Sequence, residues 1–179
     1  KKGEIKLEEI SLAIHGTTLA ANALIEQRGA KTGLLTTKGF RDILQMGKEQ
    51  RYDIYDLFLK FPDPLVPRRW RRGISERLDS KGKIIEPLNL KELRKEIKFL
   101  IEEGVESLAV SFLHSYVNPS NERQVASLIE DEFPFLSLSM SNEVVAEIRE
   151  YERTVTTCAN AYIKPLMQKY ISAIQNSLI

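Results

Sequence analysis

A chain of 179 residues with 42% hydrophobic content has enough apolar surface for one core or two small ones. Its 26 basic and 25 acidic residues leave a net charge of +1, which argues against a nucleic-acid binder or a membrane-surface protein. One cysteine excludes an intrachain disulfide and a cysteine-cluster metal site, and no apolar run approaches a membrane span or a secretory signal.

The chain opens at Lys1 rather than Met, close to a first strand, and is expected to be a piece of a longer cytoplasmic protein. Residues 11–14 are apolar and read as a buried strand. His15-Gly16-Thr17-Thr18 is a small polar turn, and the Ala- and Leu-rich stretch 18–28 predicts a helix closed by Gly29 at C′. Residues 31–37 predict a second strand, completing a βαβ unit with a right-handed crossover. A turn and short helix follow over 38–44. From 47 to 67 the pattern is lost, and Tyr52, Tyr55, Phe58, Phe61 and three prolines mark a long loop that is either functional or pinned by its aromatics.

Residues 70–87 read as a hairpin: Trp70 to Leu78, a turn at 79–83, then Ile84-Ile85. Leu90, Leu93, Ile97, Leu100 and Ile101 form one stripe of an amphipathic helix that Gly104 stops. Residues 107–113 are a buried strand. Asn118 caps the next helix, with Pro119 at its first position and Val125, Leu128 and Ile129 inside. Residues 135–140 alternate as a strand. The last segment, 150–177, is a long helix with Val155, Cys158, Ala159, Tyr162, Leu166, Tyr170 and Ile174 on one face, and Pro165 should kink or split it. Helices alternating with strands predict an α/β fold with a parallel sheet.

Strand, hydroxyl-bearing turn and helix start together offer N–H donors and partial positive charge to an anion, although Ser and Thr also cap helices for structural reasons alone. His15 and His114 each follow an apolar strand, at the rim where open parallel sheets bind ligands. A metal shared by them lacks a third ligand at recognisable spacing, so hydrogen bonding to nearby backbone is the expected role, with His15 the better functional candidate. Cys158 reads as a packed, inert thiol. Arg68-Arg69-Trp70-Arg71-Arg72 is either a solvated strand edge, a contact to another domain or a small nucleic-acid patch; alternation places Arg69 and Arg71 on one face, Trp70 and Arg72 on the other. Glu102-Glu103 and Glu130-Asp131-Glu132 read as surface charge. Arg149 to Thr154 reads as a salt-laced helix start.

Six ordered blocks carry more than any one motif. They are His15-Gly16-Thr17-Thr18 with Asn22-Ala23-Leu24; Thr36-Thr37-Lys38-Gly39-Phe40-Arg41-Asp42; Tyr55-Asp56-Leu57; Pro64-Leu65-Val66-Pro67-Arg68; Leu113-His114-Ser115-Tyr116 with Asn118-Pro119 and Glu122; and Arg149-Glu150-Tyr151-Glu152-Arg153 with Asn160-Ala161-Tyr162 and Pro165. Over about residues 8 to 175 the series resembles the N-terminal region of the hydantoinase A / 5-oxoprolinase family, which also includes the acetone carboxylase beta subunit.

The resemblance implies part of an actin-like or sugar-kinase-like ATPase fold, with a mixed or parallel sheet, flanking helices and a hairpin. It implies a single family region over 1–179, with sections 1–89 and 90–179. It also implies ATP and Mg²⁺ as cofactors, and a cyclic amide or ketone as substrate. In the hydantoin and oxoproline enzymes, ATP hydrolysis drives ring opening through phosphorylation of the carbonyl oxygen. A second, hydantoinase B-like subunit or domain is the implied partner, with no nucleic acid and no membrane. Under this resemblance His15, Gly16, Thr17, Thr18 and Asn22 border the phosphate or substrate crevice, with Arg41, Asp42 and Arg51 nearby; none is assigned a catalytic role. The family's glycine-rich loop, Asp-x-Gly-Gly-Thr-x-Thr-Asp, would lie before Lys1, and Ala20 stands where Thr is frequent. The chain alone is therefore expected to bind ATP weakly or not at all. The competing reading is a non-catalytic module that binds a partner subunit through the loop at 52–70 and the arginines.

Overall fold

The computed structural model describes residues 14, 16–48, 55, 58 and 62–178. Positions 11–13 of the expected first strand, and with them His15, Arg51, Tyr52 and Phe61, lie outside these residues. Ile14, the one described residue of that strand, is outside any strand and 88% exposed.

Four strands form a parallel sheet: β1 (Thr32–Thr37), β2 (Arg71–Ile74), β5 (Ser107–Ser111) and β6 (Ser137–Met140), in the order β2-β1-β5-β6. A separate antiparallel pair, β3 (Arg77–Leu78) and β4 (Ile84–Glu86), makes the hairpin. The helices are α1 (Leu19–Ile25), α2 (Ile43–Met46), α3 (Leu90–Glu102), α4 (Ser120–Glu132), α5 (Ser141–Val144) and α6 (Glu150–Leu178).

The two faces of the sheet differ in chemistry. Leu35, Leu108, Val110 and Phe112 pack with Leu93, Ile97, Leu100, Val125 and Ile129 in the apolar core. On the other face β5 presents Ser107, Ala109 and Ser111. Their small size lets α6 approach closely, so Ser107 Oγ donates to the Ala161 carbonyl at 2.7 Å and Ser111 Oγ lies 2.8 Å from Thr154 Oγ1. The buried face of α6 therefore runs through Arg153, Thr154, Thr157, Cys158, Ala161 and Tyr162. Of the expected stripe, Cys158 and Tyr162 are buried, Val155 packs against the core, and Ala159, Leu166, Tyr170 and Ile174 are half-buried; the stripe missed the polar members Arg153, Thr154 and Thr157. Pro165 lies within one uninterrupted helix rather than splitting it.

Three local expectations change. Residues 70–78 are not one hairpin arm: Arg68–Trp70 is a 3-10 turn, β2 pairs with β1 in parallel, and only Arg77-Leu78 joins the hairpin. Parallel pairing is non-local, so alternation within the segment could not reveal it. The C′ position of α1 is Gln27 (φ 53°), not Gly29; Arg28 N–H donates to the Ala23 carbonyl at 2.9 Å, closing the helix end. Gly29 serves packing instead, since a Cβ there would lie 2.2 Å from the Tyr162 ring. In α4, Pro119 is itself the N-cap, and Asn118 still accepts from Ser120 N–H at 3.0 Å.

Candidate functional site

Parallel sheets bind ligands beyond the carboxyl ends of their strands, and here that edge carries a buried polar network. Thr37 ends β1. Its hydroxyl accepts from Leu113 N–H at 2.9 Å and donates to Glu76 Oε1. Asn121 Nδ2 donates to the other Glu76 oxygen at 2.7 Å. One carboxylate thereby joins the ends of β1 and β2, the turn after β5 and the first residues of α4. Burial pushes the Glu76 pKa up from its ordinary value, while the Thr37 and Asn121 donors oppose that shift.

Glu122, fully buried on α4, organises the neighbouring strands. Its Oε1 accepts from Phe112 N–H at 2.9 Å and Ser141 Oγ at 2.6 Å, and its Oε2 accepts from Asn142 N–H at 2.9 Å. Arg153 reaches the same place from α6, donating to Ser115 Oγ at 2.7 Å and to the Phe112 carbonyl at 2.8 Å. Ser115 and Ser141 hydroxyls are 3.0 Å apart. Because Ser141 uses its proton on Glu122, Ser115 donates to Ser141, giving one direction of donation from Arg153 to Glu122. Burial pushes Glu122 up and Arg153 down from their ordinary values; the donors to Glu122 and the Glu122 charge beside Arg153 act in opposition.

This network fixes the 112–118 turn, in which His114 adopts φ 57° and its carbonyl accepts from Val117 and Asn118 N–H. His114 Nδ1, expected to bond backbone, is buried without a hydrogen-bond partner. Nor is Arg153 part of a surface salt-laced helix start: it is 2% exposed. Most of these residues were missed as a set because their partners are far apart in sequence. A usable signal existed in Glu122, which falls on the same helical stripe as Val125 and Ile129.

The expected crevice residues divide. Gly16, Thr17, Thr18 and Asn22 are exposed, and open space surrounds the Gly16 Cβ position. Thr17 Oγ1 accepts from Leu19 N–H at 3.1 Å, and Asn22 Nδ2 is 3.4 Å from Thr18 Oγ1. Arg41 and Asp42 instead engage Arg68: Arg41 donates to its carbonyl at 3.1 Å, and Asp42 accepts from its guanidinium at 2.7 and 3.0 Å. The Arg68 hydrogen bond holds the Asp42 carboxyl below its ordinary range. Among the described strands β2 is at the sheet edge, as one expectation had it, but its arginines are engaged within the domain. Arg69 lies over Trp70, Arg71 is buried and donates to the Val66 carbonyl, and Arg72 pairs with Glu96 and stacks on Phe99. Trp70 donates to Glu103 at 3.3 Å and Arg94 to Glu132 at 2.7 Å, so those acids are not idle surface charge.

Cys158 is inert as expected, its thiol pushed up to about 12 by burial. Among the described residues no group of three or more His, Cys, Asp or Glu could hold a metal ion, and no helix is long and apolar enough to cross a membrane.

The site and topology define an α/β domain whose parallel sheet ends in a buried carboxylate–arginine rim. Residues 1–133 match the hydantoinase/oxoprolinase N-terminal region, and the chain belongs to that family. An uncharacterized protein of Methanocaldococcus jannaschii is 40% identical over 178 residues, which cover 98% of this chain and 26% of that protein. Caprolactamase subunit alpha of Pseudomonas jessenii is 38% identical over 94% of this chain and 24% of its own. The chain thus spans about a quarter of the length of these relatives. The crystal structure of ATP-dependent caprolactamase from Pseudomonas jessenii superposes with a TM-score of 0.89 at 37% identity, covering 96% of this chain and 25% of that one. The nucleotide-free acetone carboxylase structure gives 0.77 at 29% identity, over 89% of this chain and 24% of that one. These likenesses place the sheet and helices in the actin-like/sugar-kinase superfamily fold.

Proposed function

We propose that this chain is the N-terminal part of an ATP-dependent enzyme that opens cyclic amides, with hydantoin and 5-oxoproline rings as the substrate class. The observation that carries this reading is the match, over 96% of the chain, to the structure of an ATP-dependent caprolactamase; a caprolactam is a cyclic amide. The smaller likeness to acetone carboxylase supports ketone carboxylation as the second reading. A hydantoinase B-like subunit or domain is the proposed partner, in keeping with a relative named as a subunit alpha.

Gly16, Thr17 and Thr18 are proposed to border the substrate or phosphate crevice, which suits their exposure. Among the described residues no group of three or more His, Cys, Asp or Glu could hold a metal ion, and α1 has only seven residues. No chemical step is therefore routed through the nucleotide. The contribution of this chain is positional: the carboxylate–arginine network holds the turns that follow β1, β2 and β5 in fixed relation. Rigid support of that kind is what positioning catalysis requires.

The intact protein should release ADP only when a ring is opened, with hydantoin, 5-oxoproline or caprolactam. Acetone with bicarbonate supplies the contrasting assay. Joint replacement of Thr17 and Thr18 by Ala should lower turnover with folding and assembly intact. Ring opening without ATP, or full turnover with lost assembly in that double variant, would reject the proposal.

A further inference from the structure

A second polar feature lies on the α6 side of the sheet, away from the carboxyl rim. Arg71 begins β2, pairs in register with Leu34 and is 1% exposed. Its Nε–H donates to the Val66 carbonyl at 2.8 Å, but Nη1 is buried without a hydrogen-bond partner. A buried cationic donor left unpaired is costly, and such groups are normally satisfied by protein, water or a bound species. No ion pair joins Arg71 to a carboxylate among the described residues, and the adjacent Asp42 is committed to Arg68 in a two-pronged bond. Burial pushes the Arg71 guanidinium below its ordinary range, the Asp42 charge opposes this, and the charges of Arg68 and Arg41 add to it.

Arg71 lines a cavity of about 380 Å³, within the ~300–1,000 Å³ range of small-molecule sites. Leu65, Pro67 and Tyr162 give it apolar wall, while Gln27 and Gln45 bring exposed amides. We propose that this cavity binds a small organic monocarboxylate, held by the Arg71 guanidinium in its wall, with its apolar body against Leu65 and Tyr162. One buried positive charge matches one carboxylate, and the planar guanidinium suits its geometry. Phosphate fits less well. Arg68 also lines the cavity, but its exposed guanidinium is committed to Asp42, so a second phosphate charge would have no buried partner and would face the exposed Asp63.

Calorimetric titration of the intact protein with propionate, benzoate and inorganic phosphate at constant ionic strength tests this. Saturable binding of propionate or benzoate is expected, at least tenfold tighter than phosphate. Arg71→Met should weaken it at least tenfold, and Gln45→Leu, on an exposed residue of the lining, should weaken it several-fold. Absence of saturable carboxylate binding overturns the proposal, as does phosphate binding the tighter of the two. Equal affinity in wild type and Arg71→Met also overturns it; should that variant not fold, unchanged affinity in Gln45→Leu does so. None of these readouts depends on turnover, so the result stands apart from the proposed ring-opening activity.

Discussion

Replacing Arg153 by Met measures what the rim network contributes to the fold. The side chain is 2% exposed and makes two charge-assisted hydrogen bonds, to Ser115 Oγ at 2.7 Å and the Phe112 carbonyl at 2.8 Å. Bonds of this type are worth roughly 1.5–3 kcal/mol each, and their loss leaves a buried carbonyl and hydroxyl short of a donor. Part of that cost is offset, because Arg153 Nε–H is buried without a partner and methionine removes its desolvation. The net loss should be about 2–4 kcal/mol. Urea unfolding followed by the fluorescence of Trp70, the single tryptophan and a buried one, reads it directly. Ser115→Ala, alone and combined with Arg153→Met, completes a double-mutant cycle in which a coupling of about 1–2 kcal/mol is expected for bonded partners. A loss under about 0.5 kcal/mol, a surface-residue value, or strict additivity in the cycle, would refute the network as a structural unit.

Gly29→Ala should destabilise the chain by about 1–3 kcal/mol as its Cβ forces the Tyr162 ring aside, and Tyr162→Leu should reduce that penalty when the two are combined. Glu76 has a raised folded pKa, so its contribution to stability is full below the unfolded value of 4.5 and fades as pH rises through the folded value. Unfolding free energies across that window should therefore decline less steeply in Glu76→Gln than in wild type; parallel profiles would contradict the assignment. Asp42 does not confuse the measurement, because its lowered pKa acts only as pH falls below 3.8. Cys158 should resist thiol reagents at pH 8 in the native state and react on unfolding, since its thiol is pushed up to about 12. Asn89→Ala removes the side chain that accepts from Glu92 N–H at 3.1 Å and should cost about 1 kcal/mol in urea unfolding.

Helix α3 was legible because its apolar stripe and the Gly104 stop lie within one segment; its Asn89 cap, equally local, was not read. Helix α4 and strands β5 and β6 were legible for the same reason, to within a few residues. The order of the sheet was not, nor was the parallel partnership of β2 with β1 across the long loop, because such pairing depends on contacts the local pattern does not encode. The rim shows the same division more sharply. Ordered blocks containing Thr37, Ser115, Glu122 and Arg153 identified the family, yet none of those residues by itself reveals its partners.

Amino-acid order by itself determined the class of the fold and most of the succession of elements, since propensity, capping and periodicity are properties of neighbours along the chain, and the ordered blocks determined the family. Only tertiary structure decided that Glu76 and Glu122 would be buried acids, that Arg153 from α6 would be the neighbour of Glu122, and that Arg71 would line a cavity with a donor unspent. The reason is physical: the cost of removing a charge from water, and the groups that offset it, are set by neighbours in space. In this chain those neighbours are drawn from segments tens of residues apart.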